Sequence, residues 1–269
     1  HKKIPVGMAV VLGHLSFNPA KKGRPYFNSA SLLVRGKKRI EFHKQLLPTG
    51  DVFDEARFVE KGQIKNNYFQ IGKHKFFLTI CEDIWAWPGA DGHSVYKKNP
   101  IQALKNEKVD LILNLSASPF YPGKREIRHQ LVVQTARLLK APMIYANLVG
   151  GQDEIIFDGG SFAVNAKGQK VMQCALFEED FGIFHTETQK GSFRLNPGSA
   201  TDLRRQALAL GIQDFCKKTG LQRVHLGLSG GIDSAVVLCL AVQALGAENV
   251  SAIALPGPFS AKESLSLAK

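Results

Sequence analysis

The sequence has no apolar run approaching the roughly 20 residues that a membrane-spanning helix needs, so we expect no membrane partner. It begins His1-Lys2-Lys3, with no initiator methionine and no hydrophobic signal region, and we expect no secretory signal peptide. With 25 glycines and 12 prolines among 269 residues it is neither collagen-like nor of low complexity. Its 44% content of hydrophobic residues excludes a disordered chain.

Cysteine is also scarce. Cys81, Cys174, Cys216 and Cys239 lie at long, unrelated spacings. Such spacings form neither a disulfide framework nor a zinc-ligand set. We therefore predict a reducing, cytoplasmic location.

Acidic residues are rare in the first 80 positions, which carry 15 basic and 5 acidic side chains, whereas positions 81–269 carry 20 and 18. The whole chain has a net charge of +12. A basic segment of this kind is compatible with a nucleic-acid face. No binding motif and no alternation of basic and aromatic residues accompanies the charge. We therefore favour an ordinary solvated surface and expect no nucleic-acid partner.

Short strand-like segments and helix-like segments alternate along the chain, which predicts an α/β fold. A helix is predicted at 125–139 from its apolar spacing. Strands are predicted at 5–12, 31–35, 75–80, 109–115 and 143–149, with a hairpin of 161–165 and 170–176.

The character of the sequence changes after residue 180. Residues 186–200 are polar and contain glycine, proline and serine, so they predict a linker between domains at 1–185 and 201–269. A helix at 202–218 is predicted to follow the linker. The next segments predict a βαβ unit with a right-handed crossover, built from a strand at 224–228, a helix at 235–245 and a strand at 250–255.

Cys81 ends the apolar segment KFFLTI and is followed by two acidic residues. A cysteine at the end of a buried strand can present its sulfur at the sheet edge, with the next backbone N–H facing a developing oxyanion. The position alone also fits a buried structural cysteine, because free cysteine is among the most buried residue types.

The residues around Lys44 favour the catalytic interpretation of Cys81 over the structural one. Lys44 follows the short strand RIEFH and precedes Leu47-Pro48, which favours an extended chain. In order, the blocks K-x-x-L-P, V-F-D-E-x-R and C-E-D-I-W resemble those of the nitrilase superfamily, and more narrowly the glutaminase domain of glutamine-dependent NAD synthetases. The segments LILNLSASPF, with Gly123-Lys124 after it, and YANLVGGQDEIIFDGGS extend the resemblance over 5–180.

This resemblance implies a nitrilase-like αββα sandwich with a Glu–Lys–Cys site. Cys81 would attack the carboxamide of glutamine and form a thioester, and Lys44 would stabilise the oxyanion by its charge. Ser118 and Lys124 match the positions that hold the α-amino and α-carboxylate ends of glutamine. Glu55 matches a supporting carboxylate beside Lys44.

Two features depart from the family pattern. In relatives the catalytic glutamate precedes the lysine block by a long α/β segment, and the 43 residues before Lys44 lack its motif. Glu41 is the only acidic residue there and is a poor substitute, so we expect the general base to lie outside this chain. Gly50 stands six residues after the lysine, where many relatives have a tyrosine that lines the glutamine pocket.

A glycine-rich segment, LGLSGGIDSA at 226–235, lies between a predicted strand and a predicted helix. Gly230 and Gly231 let the backbone wrap around an anion, and Ser229 and Ser234 add hydroxyl donors. The following helix offers its N-terminal N–H groups, which suit a pyrophosphate. The segment is neither a Walker A loop nor a G-x-G-x-x-G motif, and a bare S-G-G would also fit an ordinary turn.

The full S-G-G-x-D-S block resembles the pyrophosphate loop of the ATP-pyrophosphatase family, whose members adenylate a substrate. The resemblance implies the start of a Rossmann-like parallel α/β domain, with Asp233 meeting Mg²⁺ on the ATP phosphates. LPGPFS at 255–260 resembles the NAD synthetase loop near the adenylate. The implied ATP-binding residues are Gly227, Leu228, Ser229, Gly230, Gly231, Ile232, Asp233 and Ser234.

A nitrilase-type glutaminase ahead of an S-G-G-I-D-S loop is the combination of the glutamine-dependent NAD synthetases. The resemblance implies glutamine, ATP and deamido-NAD as substrates, Mg²⁺ as cofactor, and a homo-oligomer. Ammonia from glutamine would amidate adenylated deamido-NAD, giving NAD and AMP. One alternative is a stand-alone carbon–nitrogen hydrolase with a non-functional nucleotide domain. Another is a non-catalytic basic chain, for which polyanion binding would depend steeply on salt.

Overall fold

The computed structural model describes residues 3–20, 22–50, 52–88, 94–195, 198–258 and 262–268, which form strands, helices and short 3-10 turns. The helices are α1 (Glu55–Phe58), α2 (Lys124–Leu139), α3 (Ala200–Thr219), α4 (Ile232–Leu245) and α5 (Lys262–Leu267). The strands are β1 (Ala9–Phe17), β2 (Tyr26–Val34), β3 (Ile40–His43), β4 (Tyr68–Ile71), β5 (His74–Ile80), β6 (Leu111–Ser116), β7 (Met143–Asn147), β8 (Val149–Gln152), β9 (Ile155–Asp158), β10 (Phe162–Val164), β11 (Lys170–Gln173), β12 (Phe184–His185), β13 (Lys190–Gly191), β14 (Val224–Gly227) and β15 (Val250–Ile253).

Two main β-sheets are formed within the described ranges. The first is the antiparallel meander β1-β2-β3. The second has the strand order β11-β10-β7-β6-β5-β4, with β5, β6 and β7 parallel at its centre and antiparallel strands on both sides. Because β5 and β6 are parallel neighbours, the residues that follow them meet at one edge of the sheet.

Both faces of the second sheet are covered. One face packs against the first sheet, where Leu32 and Phe42 meet Leu78 and Ile80. The other face packs against α2 in a cluster that includes Ile112, Val132, Met143 and Tyr145. Parallel strands buried on both faces need apolar side chains on both sides, which explains the continuous apolar run in 75–80. The described residues therefore supply β-β-α layers of the expected αββα sandwich.

The outer face of the first sheet carries a group of polar side chains. The Oγ of Ser29 lies 2.9 Å from His43 Nδ1 and 2.7 Å from Ser16 Oγ, and His14 Nε2 lies 2.6 Å from Ser31 Oγ. In the described ranges, no helix of eight or more residues packs on this face. The fourth layer of the expected sandwich is therefore not among the described residues.

The segment predicted to be a linker contains regular structure. β12 and β13 form a small antiparallel pair, and Phe193 forms a parallel bridge with Gln173 of β11. Ser199 caps α3 in a capping box, in which its side chain accepts from Asp202 N and the Asp202 carboxylate accepts from Ser199 N. Residues 196 and 197 lie outside the described residues. The domain division at 186–200 stays a prediction.

α3 joins the two regions of the chain. Its Asp214 carboxylate accepts a hydrogen bond from Gly151 N of β8 at 2.7 Å, and Lys218 Nζ donates to the carbonyl of Gly151. A Cβ on Gly151 would lie 3.3 Å from Gly211 Cα, so glycine allows the helix to approach the strand closely. α3 packs on its other side against α4.

The C-terminal region contains the predicted βαβ unit. β14 and β15 pair in parallel, and α4 connects them. The helix begins at Ile232, three residues earlier than predicted, because Gly231 is already its N-cap. In LPGPFS, Phe259 and Ser260 lie outside the described residues.

Most predicted elements are confirmed with shifted ends. The first strand begins at Ala9 because residues 5–8 form turns, and the predicted strand 143–149 divides at Leu148 into β7 and β8. The short strands β4, β9, β12 and β13 were not predicted. Across the described ranges, no helix combines the length and the apolar character needed to cross a bilayer.

Candidate functional site

Cys81 lies where β5 ends in a short 3-10 turn, Cys81–Ile84. Its φ is 43°, a left-handed conformation that costs a non-glycine residue free energy. The side chain lines a cavity of about 1090 Å³ between the two sheet edges. Burial raises the pKa of the thiol, and the charge of Lys44 opposes this shift. A raised pKa disfavours the thiolate, which is the nucleophilic form of a cysteine side chain.

Lys44 directly follows β3, and only 1% of its surface is exposed. Its Nζ donates to both carboxylate oxygens of Glu55, the first residue of α1, at 2.8 and 2.9 Å. Asn28 Nδ2 contacts the same carboxylate at 3.4 Å. A buried ammonium needs a nearby counter-charge, and Glu55 provides it.

Ser118, between β6 and α2, and Lys124, at the start of α2, line the same cavity. Ser118 is buried, and its Oγ accepts a hydrogen bond from Arg128 Nε at 3.1 Å. Lys124 is the first residue of α2, and its Nζ lies 4.3 Å from the centre of the Trp85 ring. The structure therefore brings Cys81 and the other predicted glutaminase residues around one cavity.

Gly50 lies on the rim of this cavity and is exposed. A Cβ added there would meet no atom within 4 Å. The cavity is open on this side, as expected for a glycine in place of a large aromatic side chain.

Sequence analysis did not single out Glu82, which directly follows Cys81 and lines the cavity. Burial raises the pKa of Glu82, and a hydrogen bond from Tyr96 Oη at 2.8 Å opposes that shift. Among the described lining residues, Glu55 and Glu82 carry the carboxylates. Position in the C-E-D-I-W block was the available signal for Glu82, whereas its partner Tyr96 lies 14 residues further along the chain.

Glu41 does not line the cavity. Its side chain lies on the outer face of the first sheet, where its Oε1 is 2.8 Å from Arg39 Nη2. This placement agrees with the expectation that Glu41 cannot replace the catalytic glutamate.

A buried ion pair supports the cavity wall from behind. Arg128 Nη1 donates to Asp158 Oδ1 at 2.6 Å, and both side chains are buried. Arg128 Nη2 also donates to the carbonyls of Ser118 and Pro119, each at 2.8 Å. The guanidinium therefore fixes the backbone of the turn that carries Ser118.

The predicted ATP-binding residues run from the end of β14 through a short loop into the first turn of α4. Ser234 Oγ lies 3.1 Å from Ser229 Oγ and donates to the Gly231 carbonyl at 2.9 Å. Gly230 has a φ of 80°, and a Cβ there would collide with the backbone of Ser264 in α5. The loop therefore requires glycine and is closed by its own hydroxyl groups.

Asp233 lies in the first turn of α4 and is exposed. Within the described residues, no group of three or more His, Cys, Asp or Glu side chains could hold a metal ion. A single carboxylate beside a phosphate loop still fits Mg²⁺, because this ion commonly takes one or two protein carboxylates and completes its shell with phosphate and water oxygens.

Two family models match the chain. The carbon–nitrogen hydrolase model matches residues 5–189, and the NAD synthase model matches residues 205–269. The first match contains Lys44 and Cys81, and the second contains the glycine-rich loop.

Two glutamine-dependent NAD synthetases are similar to the chain over nearly its whole length, in agreement with both matches. A glutamine-dependent NAD(+) synthetase from Synechocystis sp. is 40% identical over 98% of this chain, which spans 49% of that protein. A solved glutamine-dependent NAD+ synthetase from Acinetobacter baumannii, in complex with ADP, is 33% identical, with a TM-score of 0.84 over 98% of this chain and 48% of its own.

A carbon–nitrogen hydrolase structure from Helicobacter pylori, 21% identical, covers 64% of this chain and 59% of its own with a TM-score of 0.52, which supports the fold alone. The chain spans about half the length of the curated relatives that it matches. The hydrolase match extends over more than half of this sequence, and the chain therefore belongs to the carbon–nitrogen hydrolase family.

Proposed function

We propose that this chain is part of a glutamine-hydrolysing NAD synthetase. The cavity around Cys81 would release ammonia from glutamine, and the loop before α4 would bind ATP for amidation of deamido-NAD. The observation that carries the proposal is the pairing of the two family matches in one chain, each with its predicted site residues assembled. Either site alone would fit many reactions.

In the glutaminase reaction, a general base takes the proton from the Cys81 thiol. The Sγ atom then attacks the carboxamide carbon, and the Lys44 ammonium stabilises the negative charge that develops on oxygen. The proton passes to the leaving nitrogen, ammonia departs, and a thioester remains. Water then hydrolyses the thioester to glutamate and restores the thiol. The base in this proposal is a glutamate that the present sequence does not contain.

The cavity offers complementary groups for both ends of glutamine. The Glu82 carboxylate and the Ser118 hydroxyl can accept from an α-ammonium group. The Lys124 ammonium suits an α-carboxylate, and its position over the Trp85 ring keeps it at the cavity wall.

At the second site, the backbone N–H groups of the glycine-rich loop and the N-terminus of α4 would bind the ATP phosphates. Asp233 would hold Mg²⁺, which neutralises phosphate charge during adenylation. Without a bridging cation the carboxylate would repel ATP. We also propose that the protein is a homo-oligomer. A reducing cytoplasm is proposed as its location, in agreement with the four free cysteines.

The test is a comparison of two variants of the full-length protein with either nitrogen donor. Cys81→Ala should abolish NAD formation from glutamine and leave formation from ammonia largely intact. Asp233→Asn should weaken NAD formation with both donors and spare glutamine hydrolysis. Cys239→Ala, at an exposed cysteine of α4, serves as the control and should behave as wild type.

Two results would contradict the proposal. Loss of both activities in Cys81→Ala would show that Cys81 does not serve glutamine alone. Failure of the wild-type protein to release pyrophosphate from ATP would favour the stand-alone hydrolase instead.

A further inference from the structure

Asp83 is a fully buried carboxylate two residues after the nucleophile. It accepts hydrogen bonds from three backbone N–H groups, and the charge of Lys44 acts on it electrostatically. Its Oδ2 accepts from Ile80 N at 3.0 Å, and its Oδ1 accepts from Gln45 N at 2.9 Å and from Leu46 N at 3.0 Å. Burial raises the pKa of this carboxyl group to about 6, and the three N–H donors oppose the rise.

Capping the turn explains only one of these hydrogen bonds. Ile80 is the N-cap of the turn that Asp83 belongs to, so the bond to Ile80 N is local. Gln45 and Leu46 are 38 and 37 residues away in the sequence. A carboxylate that served the turn alone would not need its second oxygen buried against a distant segment.

These hydrogen bonds connect the two segments that carry the proposed catalytic residues. Ile80 directly precedes Cys81, and Gln45 directly follows Lys44. The backbone of Lys44 is held further by hydrogen bonds from its N–H to the Asn28 carbonyl at 2.9 Å and from Gly62 N to its own carbonyl at 2.7 Å. The carboxylate therefore sets the distance between the strand end that carries the nucleophile and the segment that carries the ammonium.

The proposed chemistry depends on this distance. Lys44 can stabilise the oxyanion only if its ammonium lies where charge develops on the substrate oxygen. A misplacement of about 1 Å in such a site can reduce the rate about 10²-fold. Cys81 adds a further demand, because its left-handed backbone persists only where the surrounding structure holds it.

We propose that Asp83 is a positioning residue that holds the Lys44 ammonium in place relative to the Cys81 thiol. Asp83 is not among the residues that line the cavity, so it acts through the two backbone segments and not on the substrate. The proposal rests on the proposed function in one respect, the pairing of Cys81 with Lys44.

The test uses Asp83→Asn in the full-length protein. The amide replaces one acceptor oxygen with an NH₂ group, which must face at least one of the three N–H donors. For glutamine hydrolysis we expect kcat to fall about 10²-fold. KM for glutamine should change by less than about threefold, because a wholly transition-state effect leaves ground-state binding unchanged.

A second readout does not depend on glutamine. The rate of Cys81 alkylation by iodoacetamide is measured against pH by peptide mapping, with exposed Cys239 as the internal reference. If Lys44 is displaced, its charge no longer lowers the Cys81 pKa fully, and the pKa rises. Alkylation at pH 7 should then slow about tenfold for each unit of that rise. Loss of the negative charge of Asp83, without displacement of Lys44, would instead lower the Cys81 pKa and speed alkylation.

Asp180→Asn is the matched control. Its carboxylate also accepts from two backbone N–H groups, Ala175 N at 2.9 Å and Phe181 N at 2.8 Å, and pairs with Arg194, but it is not among the residues that line the cavity. It should keep the wild-type kcat and the wild-type alkylation profile of Cys81.

A folded Asp83→Asn protein with wild-type kcat and alkylation profile would overturn the proposal. Asp83→Ser, which keeps a single acceptor oxygen, is measured in parallel. If neither variant folds, Asp83 is a folding residue and the positioning role is wrong. If wild-type protein does not hydrolyse glutamine, the proposed function fails, but the alkylation comparison still decides the role of Asp83.

Discussion

The cavity around Cys81 and the loop before α4 are built in opposite ways. In the cavity, the Lys44 ammonium is held by the Glu55 carboxylate and Glu82 accepts from Tyr96, each from a separate segment. In the loop, Ser229 and Ser234 bond to each other, and Asp233 is exposed. The first site is shaped by tertiary contacts, and the second by local sequence.

The surroundings of the two sites differ in the same sense. β5, β6 and β7 are covered on both faces, whereas the loop is held by hydrogen bonds among Ser229, Gly231 and Ser234 within one short segment. The cavity should therefore be sensitive to substitutions several residues behind its wall. The loop should be sensitive mainly to changes within itself.

The largest effect should come from the ion pair behind the cavity. Arg128→Met leaves Asp158 as an unpaired buried charge, so we expect the free energy of unfolding to fall by about 3–5 kcal/mol in urea titrations. Arg194→Met is the control, because its 3.4 Å pair with Asp180 is 61% exposed on the arginine side and should contribute less than about 1 kcal/mol. Equal losses in the two variants would contradict the contrast between buried and exposed support.

Next in size is the loss of the ammonium in the cavity. Lys44→Met keeps the length of the side chain and removes the charge, and we expect kcat for glutamine hydrolysis to fall about 10²–10³-fold. Lys75→Met removes an exposed lysine that pairs with Glu107 at 3.0 Å and should leave kcat unchanged. A Lys44→Met enzyme with near-normal kcat would exclude the oxyanion role.

Asp83 predicts a pH dependence of stability. Its folded pKa of about 6 lies above the unfolded value of about 3.9, so the native state binds more protons than the unfolded state between these values. The stability of wild type relative to Asp83→Asn should therefore decrease as pH rises from 4 to 7, by at most about 3 kcal/mol. Parallel curves for the two proteins would show that the carboxyl group has an ordinary pKa.

The smallest effects should come from two glycines. Gly230→Ala forces a side chain into a left-handed position against α5, a strain of about 1–3 kcal/mol, and should weaken ATP binding roughly tenfold or more. Gly50→Ala meets open space at the cavity rim and should change the unfolding free energy by less than about 0.5 kcal/mol. Calorimetry measures ATP binding by the Gly230→Ala variant, and thermal melts measure the stability of both variants. Equal losses of stability in the two variants would contradict the predicted difference between the two positions.

The sequence alone predicted the loop well and the cavity in part. The loop depends on residues within one turn, so glycine and serine positions were enough to place it between β14 and α4. Cys81, Lys44, Glu55, Ser118 and Lys124 were identified because each lies in a recognisable block, and the structure brings them together.

The supports of the cavity could not be predicted. Asp83 reaches Gln45, and Arg128 reaches Asp158, across more than 29 residues each. No local periodicity signals such contacts, because they depend on how the two sheets pack. The short strands β9 and β12 were missed for a related reason, since each is defined by its partner strand and not by its own composition.

If Cys81 acts as proposed, its left-handed backbone places activity and stability in opposition at a single position. Alanine or serine there keeps a Cβ and with it a strain of about 1–2 kcal/mol, whereas glycine would release it. A glycine variant would therefore be more durable than the active protein and chemically inert. The rest of the fold supplies that free energy continuously, whether or not substrate is bound, and under the proposed function the reactive sulfur of Cys81 is what this strain maintains at the turn.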